Sequence, residues 1–109
     1  GHTSYYGSPA NRVHNIKEGA SKFNGKLIAP GEVFSFNQNL GAVDGSTGYR
    51  KELVIKKEGT IPEYGGGICQ VSTTFYRAVL FSGLPIVERN QHSYAVSYYS
   101  QVLGHGLDA

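Results

Sequence analysis

The sequence predicts an α+β fold, with two helices packed on a small, mainly antiparallel sheet in a single domain. Two segments carry apolar residues at the spacing of amphipathic helices, and shorter segments alternate polar and apolar residues as strands do. The strands do not alternate regularly with the helices, which favours α+β over a parallel sheet with crossover helices. A chain of 109 residues, 39% of them hydrophobic, is long enough for one modest core.

The first predicted element is a helix over residues 11–24. Its apolar residues recur at spacings of three and four along one face, at Val13, Ile16, Ala20 and Phe23. Ser8 or Asn11 could cap its start, and Asn24-Gly25 is typical of a left-handed stop. His14 lies outside the apolar face, so we expect it to be exposed to solvent.

Two strands are predicted next along the chain. Residues 32–37 alternate two phenylalanines with other side chains, and residues 51–57 have an apolar centre between charged ends. The glycine-rich segments 38–48 and 58–67 are predicted to be loops and turns.

The second half begins with a helix predicted from about Cys69, which Gly83 and the proline two residues later bring to an end. Residues 84–88 are short and apolar and are predicted to form a strand. Residues 93–99 alternate their side chains and are predicted to form another strand.

The composition argues against several classes of function. The net charge is only +2 and the ten lysines and arginines are scattered, so no nucleic-acid partner is expected. No apolar run approaches the ~18 residues of a membrane span, so we expect no membrane insertion by this domain. One cysteine excludes an internal disulfide and a multi-cysteine zinc site, and no two histidines have metal-ligand spacing. We therefore predict no metal and no other cofactor.

The strongest chemical signal is the run Gly65-Gly66-Gly67-Ile68-Cys69-Gln70. Glycines allow positive φ and a close approach of the backbone to a ligand. The first N–H groups of the following helix have no intrahelical partner and carry the positive end of its dipole. A thiol at that position should have a pKa below the free value of ~8.5, so Cys69 is a candidate nucleophile.

A cysteine nucleophile also needs a base. His92 is the first candidate, with His14 and His105 as alternatives, and Asp108 could orient the imidazole. Gln70 or the glycine N–H groups could stabilise an oxyanion. The chain order Cys, His, Asp resembles that of transglutaminase-like and papain-like thiol enzymes.

A structural interpretation of the same residues stays open. Cys69 could be a small packing residue, His92 a hydrogen-bonded structural histidine and Asp108 a turn residue or cap. The glycines could form a tight turn that lets a helix pack against a sheet. In a binding module, Tyr64, the run Gly65 to Gly67 and the tyrosine-rich strand would line a ligand groove.

Several segments resemble the VanW-like domain family. The resemblance extends from about residue 3 to the end of the chain and rests mainly on PGEVFSFN (30–37) and GGGICQVSTT (65–74). Shorter matching segments are Asn11-Arg12, Asn15-Ile16, Gly48-Tyr49, Glu88-Arg89, His92-Ser93 and Gly106 to Ala109. We therefore expect residues 3–109 to form this domain, without the closing strand usual in the family, and Gly1-His2 to be a tag remnant.

The resemblance implies an exported or membrane-anchored bacterial protein, of the Gram-positive and related groups, with an extracellular or cell-envelope location. The implied partner is peptidoglycan or a cell-wall protein, and we expect a monomer. The function expected is that of a wall-associated domain with Cys/His thiol chemistry on peptide or protein amide bonds. The alternative is a non-catalytic module that binds peptidoglycan or a neighbouring domain, with Cys69 structural.

Overall fold

A computed structural model describes residues 2–56 and 59–90. Within them the elements are, in chain order, α1 (Ala10–Ser21), α2 (Phe36–Leu40), the 3-10 turn η1 (Gly45–Thr47), β1 (Lys51–Lys56), β2 (Gly59–Tyr64) and α3 (Ile68–Phe81). Three helices and one antiparallel pair of strands make this a small single-domain α+β arrangement, the predicted class. Backbone contacts group residues 8–68 into one unit, and residues 2–7 with residues 69–90 into another.

Helix α1 corresponds to the first predicted helix but ends a few residues earlier. Its N-cap is Pro9, whose carbonyl accepts a hydrogen bond from the Val13 N–H at 3.1 Å. Among the described residues no side chain caps this end, so the capping predicted for Ser8 or Asn11 is wrong. Beyond the helix the chain turns at Gly25, whose φ of +78° lies in the left-handed region that glycine adopts without strain.

Strands β1 and β2 pair antiparallel, from Lys51 opposite Tyr64 to Lys56 opposite Gly59. The predicted first-half strand from residue 51 is confirmed, whereas β2 was predicted to be a turn. Half-buried and exposed residues alternate along the last part of β2, as in a strand with one covered face. Pro62 lacks the N–H that a central strand needs, and an edge strand tolerates this loss. Helix α1 contacts β1 within the same unit.

Residues 32–37 do not form the predicted strand. Ser35 instead is the N-cap of α2, and its hydroxyl oxygen accepts a backbone N–H three residues further on at 3.3 Å. Phe36 stacks on Phe23 with ring centroids 4.7 Å apart, and Phe34 lies 6.0 Å from the same ring. The repeated phenylalanines therefore reflect a cluster around Phe23 and not one face of a sheet.

The 3-10 turn is held by Asp44 before it. The Asp44 carboxylate accepts the N–H groups of Ser46 and Thr47 at 2.9 and 3.1 Å, and the Thr47 hydroxyl accepts the Asp44 N–H at 3.1 Å. This reciprocal pair is a capping box. The hydrogen bond from the Ser46 hydroxyl is the largest cause of a lowered pKa at Asp44, and the two backbone N–H groups add to it. The turn ends at Gly48 in the left-handed region, with φ of +92°.

Helix α3 confirms the helix predicted from about Cys69. The strand predicted over 84–88 is wrong, since these residues have no regular secondary structure. The Leu84 N–H donates instead to the Val79 carbonyl at 3.3 Å, so the chain turns at the end of α3. The strand predicted over 93–99 lies outside the described residues.

The interior is more polar than the apolar pattern indicates. The buried apolar side chains in the described part of the chain are Leu40, Tyr49 and Val71. The buried polar or charged side chains there are Asn15, Gln70, Thr73 and Arg77. Because burying a polar group without a hydrogen bond costs free energy, the directed bonds of the buried Asn15 and Gln70 side chains are important in holding the chain together.

Candidate functional site

Cys69 is the second residue of α3 and is exposed. The helix begins directly after the glycine run, and the Ile68 N–H donates to the Gly65 carbonyl at 3.1 Å. The N–H groups of a first helical turn carry partial positive charge, which stabilises a thiolate relative to a thiol. An exposed thiol at this position can meet a solute and does not fill the core.

Gln70, the next residue, is buried, with 2% of its surface exposed. Its side-chain amide donates to the Thr3 hydroxyl at 3.0 Å and to the Ser4 carbonyl at 2.8 Å. The Thr74 hydroxyl donates to the Gln70 backbone carbonyl at 2.8 Å. The Gln70 side chain therefore holds the N-terminal segment against α3.

The glycine run Gly65 to Gly67 is buried within the 8–68 unit, and each glycine lies close to a different neighbouring residue. A Cβ on Gly66 would lie 2.8 Å from backbone atoms of Glu52 in β1. Gly67 has φ of +108°, and a Cβ there would lie 3.0 Å from the Arg12 side chain in α1. These contacts describe a tight turn that α1 and β1 approach closely. The ligand-binding roles predicted for the three glycines remain predictions.

The sequence pattern assigns no structural role to Asn15. Its side chain is fully buried; the amide donates to the Arg50 carbonyl at 2.8 Å and to the Gly66 carbonyl at 3.0 Å. Its side-chain oxygen accepts the Arg50 N–H at 2.8 Å. One side chain thus ties α1 to the residue before β1 and to the glycine run. The sequence signal that could have identified Asn15 is that asparagine, a poor helix former, lies in the middle of a predicted helix.

Tyr64, the last residue of β2, is partly exposed, with 46% of its surface accessible. The Lys51 ammonium lies 5.3 Å from the centre of its ring, within range of a cation–π interaction. A Cβ on Gly45 would lie 3.1 Å from the ring, so the glycine lets the loop pass close to it. The ring is held on one side while a large part of it stays open to solvent.

A second polar cluster lies where α1 meets the loop before β1. His14 Nε2 lies 2.6 Å from the Gly48 carbonyl, and since a carbonyl only accepts, this nitrogen carries the proton. His14 is half-buried, so it is less exposed to solvent than predicted. The Tyr49 hydroxyl is buried and has no hydrogen-bond partner among the described residues. Burial raises the pKa of Tyr49, and the negative charge of Glu18 raises it further.

The predicted site residues thus fall into three groups. Cys69 and Gln70 lie together at the start of α3, in one unit of the chain. Tyr64 and the glycine run lie in the other unit. His92 and Asp108 lie outside the described residues.

Within the described ranges, no helix has both the length and the apolar character needed to cross a membrane. Over the same residues, no group of three or more His, Cys, Asp and Glu side chains is arranged to hold a metal ion.

Comparison with known proteins decides the family. The family model described as "VanW like protein" matches residues 11–109, nearly the whole chain. The chain belongs to the VanW-like family. The motifs that suggested this resemblance, including the two long ones, lie largely inside the matched range of this VanW-like chain.

Two curated proteins are similar to this VanW-like chain. The uncharacterized protein YoaR of Bacillus subtilis (strain 168) is 40% identical over 96 residues, which cover 88% of this chain and 32% of YoaR. The vancomycin B-type resistance protein VanW of Enterococcus faecalis (strain ATCC 700802 / V583) is 37% identical over 82 residues, which cover 75% of this chain and 30% of that protein. The chain therefore spans about a third of the length of these relatives. No solved structure gives a significant match.

Proposed function

We propose that this domain works at the bacterial cell envelope as a thiol-dependent enzyme on peptide or other amide bonds of peptidoglycan or of a cell-wall protein. The observation that carries the proposal is the exposed thiol of Cys69 on the second residue of α3. The name of the E. faecalis relative, a vancomycin B-type resistance protein, supports the cell-wall context.

In the proposed reaction the Cys69 sulfur attacks the carbonyl carbon of an amide, and His92 accepts the thiol proton. The carbon–nitrogen bond then breaks, the amine leaves with that proton, and the acyl group remains on sulfur as a thioester. Water hydrolyses the thioester to a carboxylic acid and restores the thiol. Asp108 orients the His92 imidazole in this scheme.

The oxyanion in this scheme is stabilised by backbone N–H groups at the start of α3. Such groups point along the helix axis and need no reorganisation as the charge develops. The Gln70 side chain, predicted as a second donor, is hydrogen-bonded to Thr3 and Ser4 and lies 2% exposed. This engagement supports assigning the contact to the backbone and not to the amide side chain.

The first test measures the Cys69 thiol directly. The rate of alkylation by iodoacetamide is followed against pH, and since the chain has one cysteine, the rate reports that thiol alone. We expect a midpoint below the ~8.5 of an unperturbed cysteine. A midpoint at or above that value would refute activation of the thiol.

The second test compares the wild type with Cys69→Ala on purified peptidoglycan. We expect new fragments, separated by chromatography and identified by mass spectrometry, from the wild type only. Ser82→Ala is a suitable control, since its hydroxyl bonds the Ala78 carbonyl at 2.6 Å at the far end of the same helix. Identical fragments from the wild type and Cys69→Ala would refute cysteine catalysis on this substrate.

The binding alternative is favoured by a different observation, the half-exposed ring of Tyr64 beside the Lys51 ammonium. An exposed aromatic ring can stack on a sugar ring, and the nearby Lys51 ammonium can bind an acidic substituent of the sugar. The test is retention on insoluble peptidoglycan. Retention that falls in Tyr64→Ala but not in Cys69→Ala, with no fragments released, would favour a binding module.

A further inference from the structure

Three hydrogen bonds connect the N-terminal residues Thr3 and Ser4 to the first turns of α3. Gln70 provides two of them through its side-chain amide, one to each residue. The hydroxyls of Thr3 and Thr74 lie 2.7 Å apart, and the Thr74 hydroxyl also bonds the Gln70 carbonyl at 2.8 Å. The Tyr6 N–H donates to the Ser4 hydroxyl at 3.1 Å, which is a local hydrogen bond within the N-terminal segment.

The protons of this cluster can be assigned from donor counts. A hydroxyl has one proton, and that of Thr74 goes to the Gln70 carbonyl, so Thr3 must be the donor in the bond between the two threonines. The Thr3 oxygen in turn accepts from the Gln70 amide. The bonds therefore form a closed ring that leaves the Gln70 side chain and returns to its own backbone carbonyl. Bonds aligned in one direction around a ring strengthen one another.

This ring overlaps the part of the helix that most readily opens. The first turn of a helix frays because its N–H groups lack intrahelical partners. Here Gln70 is joined to Thr74, one turn further on, both through the helix and through Thr3. Fraying of the first turn therefore requires the ring to break as well.

We propose that Thr3 and Ser4 are a latch that keeps the first turn of α3 ordered and thereby sets the reactivity of the Cys69 thiol. The second half of this statement rests on the proposed function. Thr3, Gln70 and Thr74 are positioning residues in this scheme, since they act through the helix that carries Cys69. Release of the latch would let the first turn fray and would remove the ordered N–H groups that favour the thiolate.

The first experiment measures order in the latch by hydrogen–deuterium exchange of the full chain. Thr3→Val keeps the shape of the side chain and removes its hydroxyl, while Thr3→Ser keeps the hydroxyl. We expect exchange in peptides covering residues 69–74 to rise about tenfold in Thr3→Val and to stay near wild type in Thr3→Ser, with exchange in peptides of the 8–68 unit unchanged. Exchange over 69–74 that is equal in Thr3→Val and wild type would overturn the latch.

The second experiment measures the pH profile of Cys69 alkylation in the same variants. In Thr3→Val we expect the rate at pH 7 to fall about threefold and the limiting rate at alkaline pH to change less than twofold, because the loss is in thiolate population. Ser82→Ala serves as the control on α3 and should keep the wild-type profile. If the wild type has an ordinary cysteine pKa, the proposed function fails. If its pKa is low and Thr3→Val has the same profile, only the latch fails.

Discussion

Replacing Asn15 by alanine removes three hydrogen bonds from the interior of the 8–68 unit. The lost bonds join the side chain to the Arg50 carbonyl, the Arg50 N–H and the Gly66 carbonyl, at 2.8, 2.8 and 3.0 Å. The Arg50 carbonyl keeps a second donor, the Gly65 N–H at 3.1 Å. The other two backbone groups lose the partner that Asn15 provided.

The size of the effect follows from these bonds. A typical hydrogen bond contributes about 1 kcal/mol net, and a buried group left without its partner costs about 1–3 kcal/mol. With one of the three groups still bonded elsewhere, we expect Asn15→Ala to lower the free energy of unfolding by about 2–4 kcal/mol. That is a large fraction of the stability of about 5–15 kcal/mol typical of a protein.

Urea unfolding followed by circular dichroism measures this change through the midpoint and slope of the transition. Asn11→Ala is the matched control, because Asn11 lies exposed on the same helix, and its loss should stay within about 0.5 kcal/mol. Asn15→Asp should destabilise at least as much as alanine, since a carboxylate cannot donate to two carbonyls. An Asn15→Ala variant as stable as the Asn11→Ala control would show that these three bonds do not stabilise the fold.

Three further predictions concern the same unit. Gly66→Ala should destabilise the chain much more than Gly45→Ala in thermal unfolding. The methyl added at Gly66 would lie 2.8 Å from Glu52 backbone atoms, whereas the methyl added at Gly45 would lie near the Tyr64 ring, which can move. Equal melting temperatures would contradict this. Tyr49→Phe should keep or raise the melting temperature, since it removes a buried hydroxyl with no partner among the described residues; a clear drop would show that the hydroxyl is bonded. The pKa of Asp44 is lowered, so its contribution to stability is complete above the ordinary value of 3.8 and is lost as pH falls through the lowered value. A carboxyl NMR titration of Asp44 with a midpoint at or above 3.8 would be the contrary result.

The correctly predicted elements are those in which one buried face produces a regular pattern of apolar residues in the sequence. Helices α1 and α3 and strand β1 have apolar spacing or apolar centres, and the sequence alone locates them. The helix α2 and the strand β2 could not be located in this way. A serine cap and an aromatic cluster determine the first, and pairing with β1 determines the second. Both depend on contacts between segments that periodicity does not encode.

The same distinction between local pattern and long-range contact applies to the candidate site. The glycine run and the position of Cys69 at a helix start were visible in the sequence, because glycine content and helix boundaries are local properties. The burial of Gln70 was not, since its partners Thr3 and Ser4 lie at the other end of the sequence. Asn15 was not assigned a role either, because its bonds reach Arg50 and the glycine run.

The single exposed thiol also allows site-specific labelling of this chain. A maleimide dye or nitroxide added to the wild-type chain attaches at Cys69 alone, so no background cysteines have to be removed first. Placed on the second residue of α3, such a label lies one position from the hydrogen-bonded ring. Its spectral line shape would follow movements of the helix start in real time, with no isotope and no crystal.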